Sequence, residues 1–242
     1  MRAVAVIPAR MGSRRVPGKV MVNVHGEPLV VHVWRRVMAS AVLDEVWVAT
    51  DSEQVADAVR DVGGQVLWTE GSYTCGTDRV AAAMKDISAD IILNVQSDCA
   101  FLEPSILDSL VAAFKNPAIR FVTAVVPFPE GRDPAEPSIV KAVVGAEGEA
   151  LYFSRAPVPT GGPWLQHIGV YGFRRLALSE FARWGPSPLE RSEQLEQLRI
   201  LENGESIFTV MVDKAGLAID TPDDLARLSI PSIDSSSINL RL

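Results

Sequence analysis

Apolar positions fall in short blocks along the first half of the chain, and polar punctuation separates them. Residues 3–7 (AVAVI) are uniformly apolar and stop at Pro8, the pattern of a strand buried on both faces. Residues 45–50 (EVWVAT), 65–69 and 91–95 read as three more short strands, largely apolar. Between them, apolar residues recur at helical spacing over 29–40, 52–62, 77–87 and 105–114. Ser52 is placed to cap the second of these helices, and Gly63-Gly64 ends it. Strand alternating with helix predicts a parallel sheet covered on both faces. In such sheets ligands sit beyond the carboxyl ends of the strands. The loops at 8–19, 50–51 and 96–98 all fall at those ends, so they are expected to face one crevice.

After residue 120 the rhythm changes. Residues 121–127, 140–144, 150–153 and 167–173 read as strands joined by turns, an antiparallel or mixed extension of the sheet. Residues 189–201 (LERSEQLEQLRIL) read as one helix, and 206–212 as a last strand. A short helix over 221–228 carries Thr221 as its cap and Pro222 at its first position. The expected organisation is one domain over 1–230, in two parts, 1–120 and 121–230, divided where the pattern changes. Residues 231–242 read as a flexible tail.

Composition narrows the function classes. The chain has 242 residues, 48% of them hydrophobic and 22% charged, ordinary for a globular protein. Its net charge of −7 lacks the basic footprint of a nucleic-acid binder. No apolar run reaches the length of a membrane span, and the N-terminal run is too short for a signal peptide. Cys75 and Cys99 are too few and too far apart for a disulfide framework or a CxxC pair, which points to reduced thiols in the cytoplasm. His25 and His32 have no metal spacing with each other or with the cysteines, so a zinc site is rejected.

The strongest local chemistry follows the first strand. Pro8-Ala9-Arg10-Met11-Gly12-Ser13-Arg14-Arg15-Val16-Pro17-Gly18-Lys19 places four cations among glycines. Glycines let backbone N–H groups approach phosphate oxygens, while Arg and Lys neutralise their charge. This is neither a Walker A loop, since five residues separate Gly12 from Gly18 and Val20 replaces Ser or Thr, nor a GxGxxG dinucleotide fingerprint. The bland alternative, a solvated basic loop, fits its position at a strand end less well.

Asp98, just past the strand at 91–95, suits Mg²⁺ or simply a turn; read alone, both stay open. Asp220, Asp223 and Asp224, read alone, fit a helix start better than a metal site. Gly76-Thr77-Asp78-Arg79 opens a helix and either caps it or holds a base. Glu190, Glu193 and Glu196 read as the solvated face of a helix, and a lone His167 reads as structural.

Taken in order, eight segments resemble the CMP-Kdo synthetase (3-deoxy-manno-octulosonate cytidylyltransferase) family: IPARMGSRRVPGK, VWVATDSEQVADAV, GTDRVA, ILNVQSD, ALYFSRAPVP, HIGVYGF, PSPLERSEQLEQLRIL and AIDTPDDL. The resemblance implies an α/β nucleotidyltransferase fold: a Rossmann-like, mainly parallel sheet with helices on both faces and a smaller antiparallel or mixed lobe for substrate and dimerisation. It implies transfer of CMP from CTP to a small acidic acceptor with release of pyrophosphate, dependence on Mg²⁺, and a homodimer. By position, Arg10, Met11, Gly12, Ser13, Arg15 and Lys19 correspond to the triphosphate loop, and Arg79 and Gln96 to nucleotide contacts. Asp98 and Asp220 correspond to magnesium ligands. Arg155, His167, Tyr171, Glu196 and Gln197 correspond to the acceptor pocket. Arg10, Lys19 and Asp98 are the expected catalytic residues.

Two departures from the family pattern bear on the acceptor. The family's Gln-Gly-Asp-Glu-Pro is here Gln96-Ser97-Asp98-Cys99-Ala100, with a side chain where glycine is usual. Only eleven residues separate Arg155 from His167, where the family carries a longer insert. These departures point to an acceptor other than ordinary Kdo, such as another sugar acid or a phosphonate. A non-catalytic nucleotide-binding protein is the alternative of another class. A nicotinamide oxidoreductase is disfavoured by the missing GxGxxG.

Overall fold

The computed structural model describes residues 1–12, 17–214 and 216. Its chain order is β1 (Ala3–Pro8), β2 (Asn23–Val24), β3 (Glu27–Pro28), α1 (Leu29–Met38), β4 (Glu45–Thr50), α2 (Glu53–Arg60), β5 (Gln65–Trp68) and α3 (Gly76–Ala83). It continues with β6 (Ile91–Val95), α4 (Pro104–Ala113), β7 (Phe121–Pro127), β8 (Lys141–Val144), β9 (Ala150–Ser154) and β10 (Leu165–Arg174). It ends with α5 (Arg175–Phe181), α6 (Pro188–Glu193), α7 (Leu198–Glu202) and β11 (Ile207–Met211).

Nine strands form one sheet whose main path is β11-β7-β10-β6-β1-β4-β5, with β8 and β9 branching from β10. Strands β6, β1, β4 and β5 are parallel to one another. β10 inserts antiparallel between β6 and β7, and β11 pairs with β7 in parallel. The sheet is thus mainly parallel in its first half and mixed in its second, as the change in pattern at residue 120 predicts.

Both faces are covered, and the strand residues divide between them. Ala3, Ala5 and Ile7 of β1 pack with apolar residues of α1, α2 and α4. Val4 and Val6 face the other way, toward α3 and the phenylalanines of β7, β9, β10 and α5. A strand buried on both sides cannot alternate polar and apolar residues, which is why β1 is uniformly apolar. Ser52 caps α2 as expected, its hydroxyl accepting from Val55 N–H.

Two readings need correction. The single helix expected over 189–201 is two short helices, α6 and α7, separated at Gln194, which takes a left-handed conformation with φ 55°. His167 lies inside β10, two residues into the strand, rather than at its start. The expected helix at 221–228 and the tail at 231–242 lie outside the described residues. No helix among the described residues is long and apolar enough to cross a membrane.

Candidate active site

β1 delivers the chain to Arg10, Met11 and Gly12 at its carboxyl end. Arg10 is exposed, and Met11 packs partly into the core, anchoring the loop's near side. Gly18 stands in the left-handed region at φ 67°, and its N–H donates to the Met11 carbonyl at 3.1 Å. That bond closes the loop on itself, so the chain re-enters the fold with Lys19 pointing inward. Ser13 and Arg15 lie outside the described residues.

β6 ends in a tight turn. Cys99 N–H donates to the Gln96 carbonyl at 3.1 Å and Ala100 N–H to the Asp98 carbonyl at 2.8 Å. The turn aims Asp98 at Lys19, and Nζ meets Oδ2 at 2.9 Å. The two side chains are 11% and 27% exposed, so the pair is shielded while the carboxylate keeps an open side. A carboxylate and a cation held together at the ends of adjacent parallel strands can serve a divalent ion and phosphate oxygens. Among the described residues no three His, Cys, Asp or Glu side chains cluster as a metal site. Asp220, the second expected metal ligand, lies outside the described residues.

Arg79, in α3, is buried and fixed at the ends of β4 and β5. Its guanidinium donates to Asp51 at 2.8 Å and to the Thr69 hydroxyl at 2.8 Å, and lies 4.9 Å from the Tyr73 ring centroid. The cation is therefore preorganised on the same rim as the basic loop.

The opposite wall is built by β10 and the segment that follows the break at Gln194. Glu196 is the hinge between walls. One of its carboxylate oxygens accepts the Thr77 backbone N–H at 3.0 Å, and the other accepts Gln96 Nε2 at 3.0 Å. Burial raises the Glu196 pKa, against hydrogen bonds from Cys75 and Thr77 that lower it. The expected solvated glutamate face is thus corrected. Glu190 is buried against Arg199, Glu193 accepts from Ser154 and the Arg155 N–H, and Glu196 joins β6 to α3.

Tyr171 donates its hydroxyl to Gln197 Oε1 at 3.0 Å, and burial holds its pKa well above the ordinary value. Gln197 Nε2 is buried with no protein partner among the described residues. That orphaned donor costs free energy unless a further acceptor is supplied. His167 is buried between Phe153 and Tyr171, with ring centroids at 4.9 and 5.4 Å. Burial pushes its pKa down to about 3, so the ring is neutral. Thr123 spends its one hydroxyl proton on the Val170 carbonyl at 2.7 Å, so the contact to His167 Nε2 at 2.9 Å assigns the ring proton to Nε2. Arg155 sits at the rim, its guanidinium donating to the carbonyls of Pro137 and Glu193 at 2.7 and 3.0 Å.

The altered turn leaves this geometry intact. Among the described residues only His25 and Gln194 are non-glycines with positive φ, so Ser97 occupies a backbone conformation that does not need glycine. Cys99 is 5% exposed, its Sγ 3.7 Å from the Gly169 carbonyl, and it packs with Ala100 into the core beside α1 and α4. The side chains that replace the family's Glu and Pro are therefore packing residues. In the short 156–166 segment, Trp164 donates Nε1 to the Pro159 carbonyl at 2.7 Å and packs on Phe128.

Sequence reasoning gave Thr123, Cys75, Asp78 and Arg199 no part in the wall that they support from behind. Asp78 and Arg199 lie inside the GTDRVA and PSPLERSEQLEQLRIL segments, but nothing there says that they meet, because a buried ion pair leaves no periodic trace.

A family model described as cytidylyltransferase matches residues 4–207. The 3-deoxy-manno-octulosonate cytidylyltransferase of Geobacter metallireducens is 41% identical, over 94% of this chain and 96% of the relative. That of Myxococcus xanthus is 42% identical over 94% and 95%. A solved structure of CMP:2-keto-3-deoxy-manno-octonic acid synthetase complexed with CTP superposes with a TM-score of 0.88 at 38% identity, covering 94% of this chain and 97% of that one. With a family model matched over residues 4–207 and relatives 41% and 42% identical over nearly its whole length, this chain belongs to the cytidylyltransferase family.

Proposed function

We propose that this enzyme transfers CMP from CTP to a hydroxyl of Kdo, releasing pyrophosphate. What supports the reading most directly is the meeting of Lys19 and Asp98 at 2.9 Å, from positions 79 residues apart, on the crevice that the basic loop borders. The names of the relatives above supply the acceptor, and the CTP in the similar solved structure supplies the nucleotide.

In this reading Arg10, Met11, Gly12, Ser13, Arg15 and Lys19 cradle the triphosphate, and Arg79 and Gln96 contact the nucleoside. The acceptor oxygen attacks the α-phosphorus in line as the bond to the bridging oxygen of the pyrophosphate breaks, and the acceptor's proton passes to solvent. Such transfers rest on positioning and charge neutralisation rather than covalent catalysis. Lys19 and the arginines neutralise the leaving pyrophosphate. Asp98 and Asp220 would hold Mg²⁺, which supplies further neutralisation of the phosphates when bound.

Arg155, Tyr171, Glu196 and Gln197 form the acceptor wall, the orphaned Gln197 Nε2 being a ready donor to a sugar-acid oxygen. His167 contributes as a neutral wall, not a cation. Because Cys99 and Ala100 face the core, the case for a different acid reduces to the short 156–166 segment. The proposal also carries the family's homodimer and a cytoplasmic setting, consistent with two free thiols.

The test is pyrophosphate release from CTP and Mg²⁺ with Kdo and a panel of other sugar acids and phosphonates, with UTP competition and an Asp98→Ala control. Turnover with Kdo that the control abolishes supports the reading. Turnover only with another acid overturns the acceptor, and CTP binding without any turnover favours a nucleotide-binding protein.

A further inference from the structure

Behind Glu196 lies a buried charge cluster that the proposed reaction does not use. The Arg199 side chain is 1% exposed. Its Nε and one terminal nitrogen grip Glu190 at 2.8 and 2.7 Å. The other terminal nitrogen reaches Asp78 at 2.7 Å and the Trp184 carbonyl at 3.3 Å. Contacts to the Thr74 hydroxyl at 3.3 Å and Cys75 Sγ at 3.5 Å use the remaining donor capacity, and the Phe181 ring lies 4.3 Å beneath the guanidinium.

The bidentate pair with Glu190 is enough to neutralise and satisfy an arginine within its own α6–α7 neighbourhood. The bond to Asp78 adds something different, because Asp78 lies 121 residues away in the first turn of α3. That turn also carries Thr77, whose N–H holds one Glu196 oxygen, and Glu196 lies three residues before Arg199. The arginine thus ties together the two elements that Glu196 spans. Asp78 also lies close enough to raise the Glu196 pKa, after burial, so an unneutralised Asp78 would repel the carboxylate beside it.

We propose that Arg199, acting through Asp78, is a positioning residue that holds the Glu196 carboxylate between Thr77 and Gln96 and so sets the acceptor wall against the nucleotide turn. This rests on the function proposed above for its kinetic consequence, but not for its geometry. Arg199 touches neither substrate in this scheme; it fixes the carboxylate that does.

The experiment is a mutant cycle of Asp78→Asn, Glu196→Ala and the double variant, with Arg199→Lys beside them. Three quantities are read: the steady-state constants with CTP and acceptor, the Kd for CTP, and hydrogen exchange at the Thr77 amide in the free protein. Asp78→Asn is expected to raise the acceptor KM about tenfold and leave the CTP Kd within about twofold. In the Glu196→Ala background the same change is expected to shift the acceptor constants less than about twofold, since coupled residues are not additive. Thr77 exchange is expected to quicken about tenfold in Asp78→Asn and less in Arg199→Lys, which keeps the charge.

Equal losses from Asp78→Asn with and without Glu196, or equal worsening of the CTP Kd and acceptor KM, would overturn the proposal as a plain stability effect. So would unchanged Thr77 exchange. If Arg199→Lys does not fold, the isosteric Asp78→Asn still decides the matter. Quickened exchange in Asp78→Asn, together with a wild type that turns over no acid, would uphold the positioning and refute the function instead.

Discussion

A single methyl group offers a way to separate the crevice chemistry from the fold. Gly76 opens α3 directly beneath the Gln96–Glu196 contact. A Cβ placed on it would lie 2.8 Å from Gln96 Nε2, 3.1 Å from Oε1 and 3.3 Å from Pro8 Cγ. The first of these is closer than side-chain carbons come, so something must move. What moves is decided by stiffness: the Gln96 amide is the end of a flexible side chain, whereas Pro8 belongs to a buried strand. Gly76 is not among the glycines with positive φ, so alanine suits its backbone. The expected result of Gly76→Ala is a displaced Gln96 and a lost hydrogen bond to the Glu196 carboxylate.

A hydrogen bond to a charged acceptor contributes about 1.5–3 kcal/mol. At about 1.4 kcal/mol per decade, acceptor kcat/KM should fall roughly ten- to a hundredfold. Stability should fall by less than that bond contributes, because replacing a helical glycine at a compatible site offsets about 0.4–1 kcal/mol of the loss. The assay is pyrophosphate release against acceptor concentration at saturating CTP, with a thermal melt of the same sample. An acceptor kcat/KM within about twofold of wild type would refute the role given to the Gln96–Glu196 bond. A loss of stability well beyond about 3 kcal/mol would refute the claim that the side chain yields rather than the backbone.

Gly172→Ala is the contrasting case: its Cβ would meet Val122, Phe114 and Leu93 at 2.6, 2.9 and 3.0 Å in the core, so it should lose about 1–3 kcal/mol of stability in a denaturant melt. Lys19→Met should lower kcat by about 10²–10³ with little change in the melt, since it removes charge at the leaving group; stopped-assay kinetics on the purified variant check this. His167 is held neutral by burial, its pKa pushed from 6.5 to about 3. The unfolded chain therefore takes up a proton that the native state refuses as pH falls below 6.5. Stability present above that value is lost on acidification, by about 2 kcal/mol at pH 5. Urea melts at pH 7.5 and pH 5 should show that loss in wild type and a smaller one in His167→Phe; equal losses would mean that the burial argument is wrong. Sedimentation of the intact protein should give a dimer, and a monomer at assay concentrations would remove that part of the proposal.

The parallel half of the fold was readable because its cause is local. Four of the five residues from Ile91 to Val95 are apolar, as a strand covered on both faces requires, and such a block between turn residues says so without knowledge of its neighbours; the exception, Asn94, is buried and donates to the Thr77 hydroxyl. The same logic places Lys19 and Asp98 at strand ends, although nothing in either segment says that they meet. The acceptor wall was legible only by resemblance. Residues 189–201 hold no glycine or proline and alternate good helix formers, so local propensity favours one continuous helix. The break at Gln194 is imposed from outside the segment. Glu193 is claimed by Ser154 and Arg155, 39 and 38 residues away, and Glu196 by Thr77, 119 residues away.

That conflict explains why the three glutamates misled. A hydrophobic pattern records burial only through apolar side chains, so a carboxylate that is buried because it is paired reads as solvent-facing. Glu190, Glu193 and Glu196 recur every three residues, as a wet helical face would. In the fold each instead meets a donor from another element: Arg199 of the next helix for the first, and the distant Ser154 for the second and Thr77 and Gln96 for the third. The left-handed turn at Gln194 is what lets the second and third point to different partners. A straight helix would carry Glu193 and Glu196 on one face, and the strain at Gln194 is offset by the bonds that their separation permits. The site was hidden in the one place where local preference and tertiary pairing disagree, and that disagreement is itself the mark of a segment shaped by what it holds.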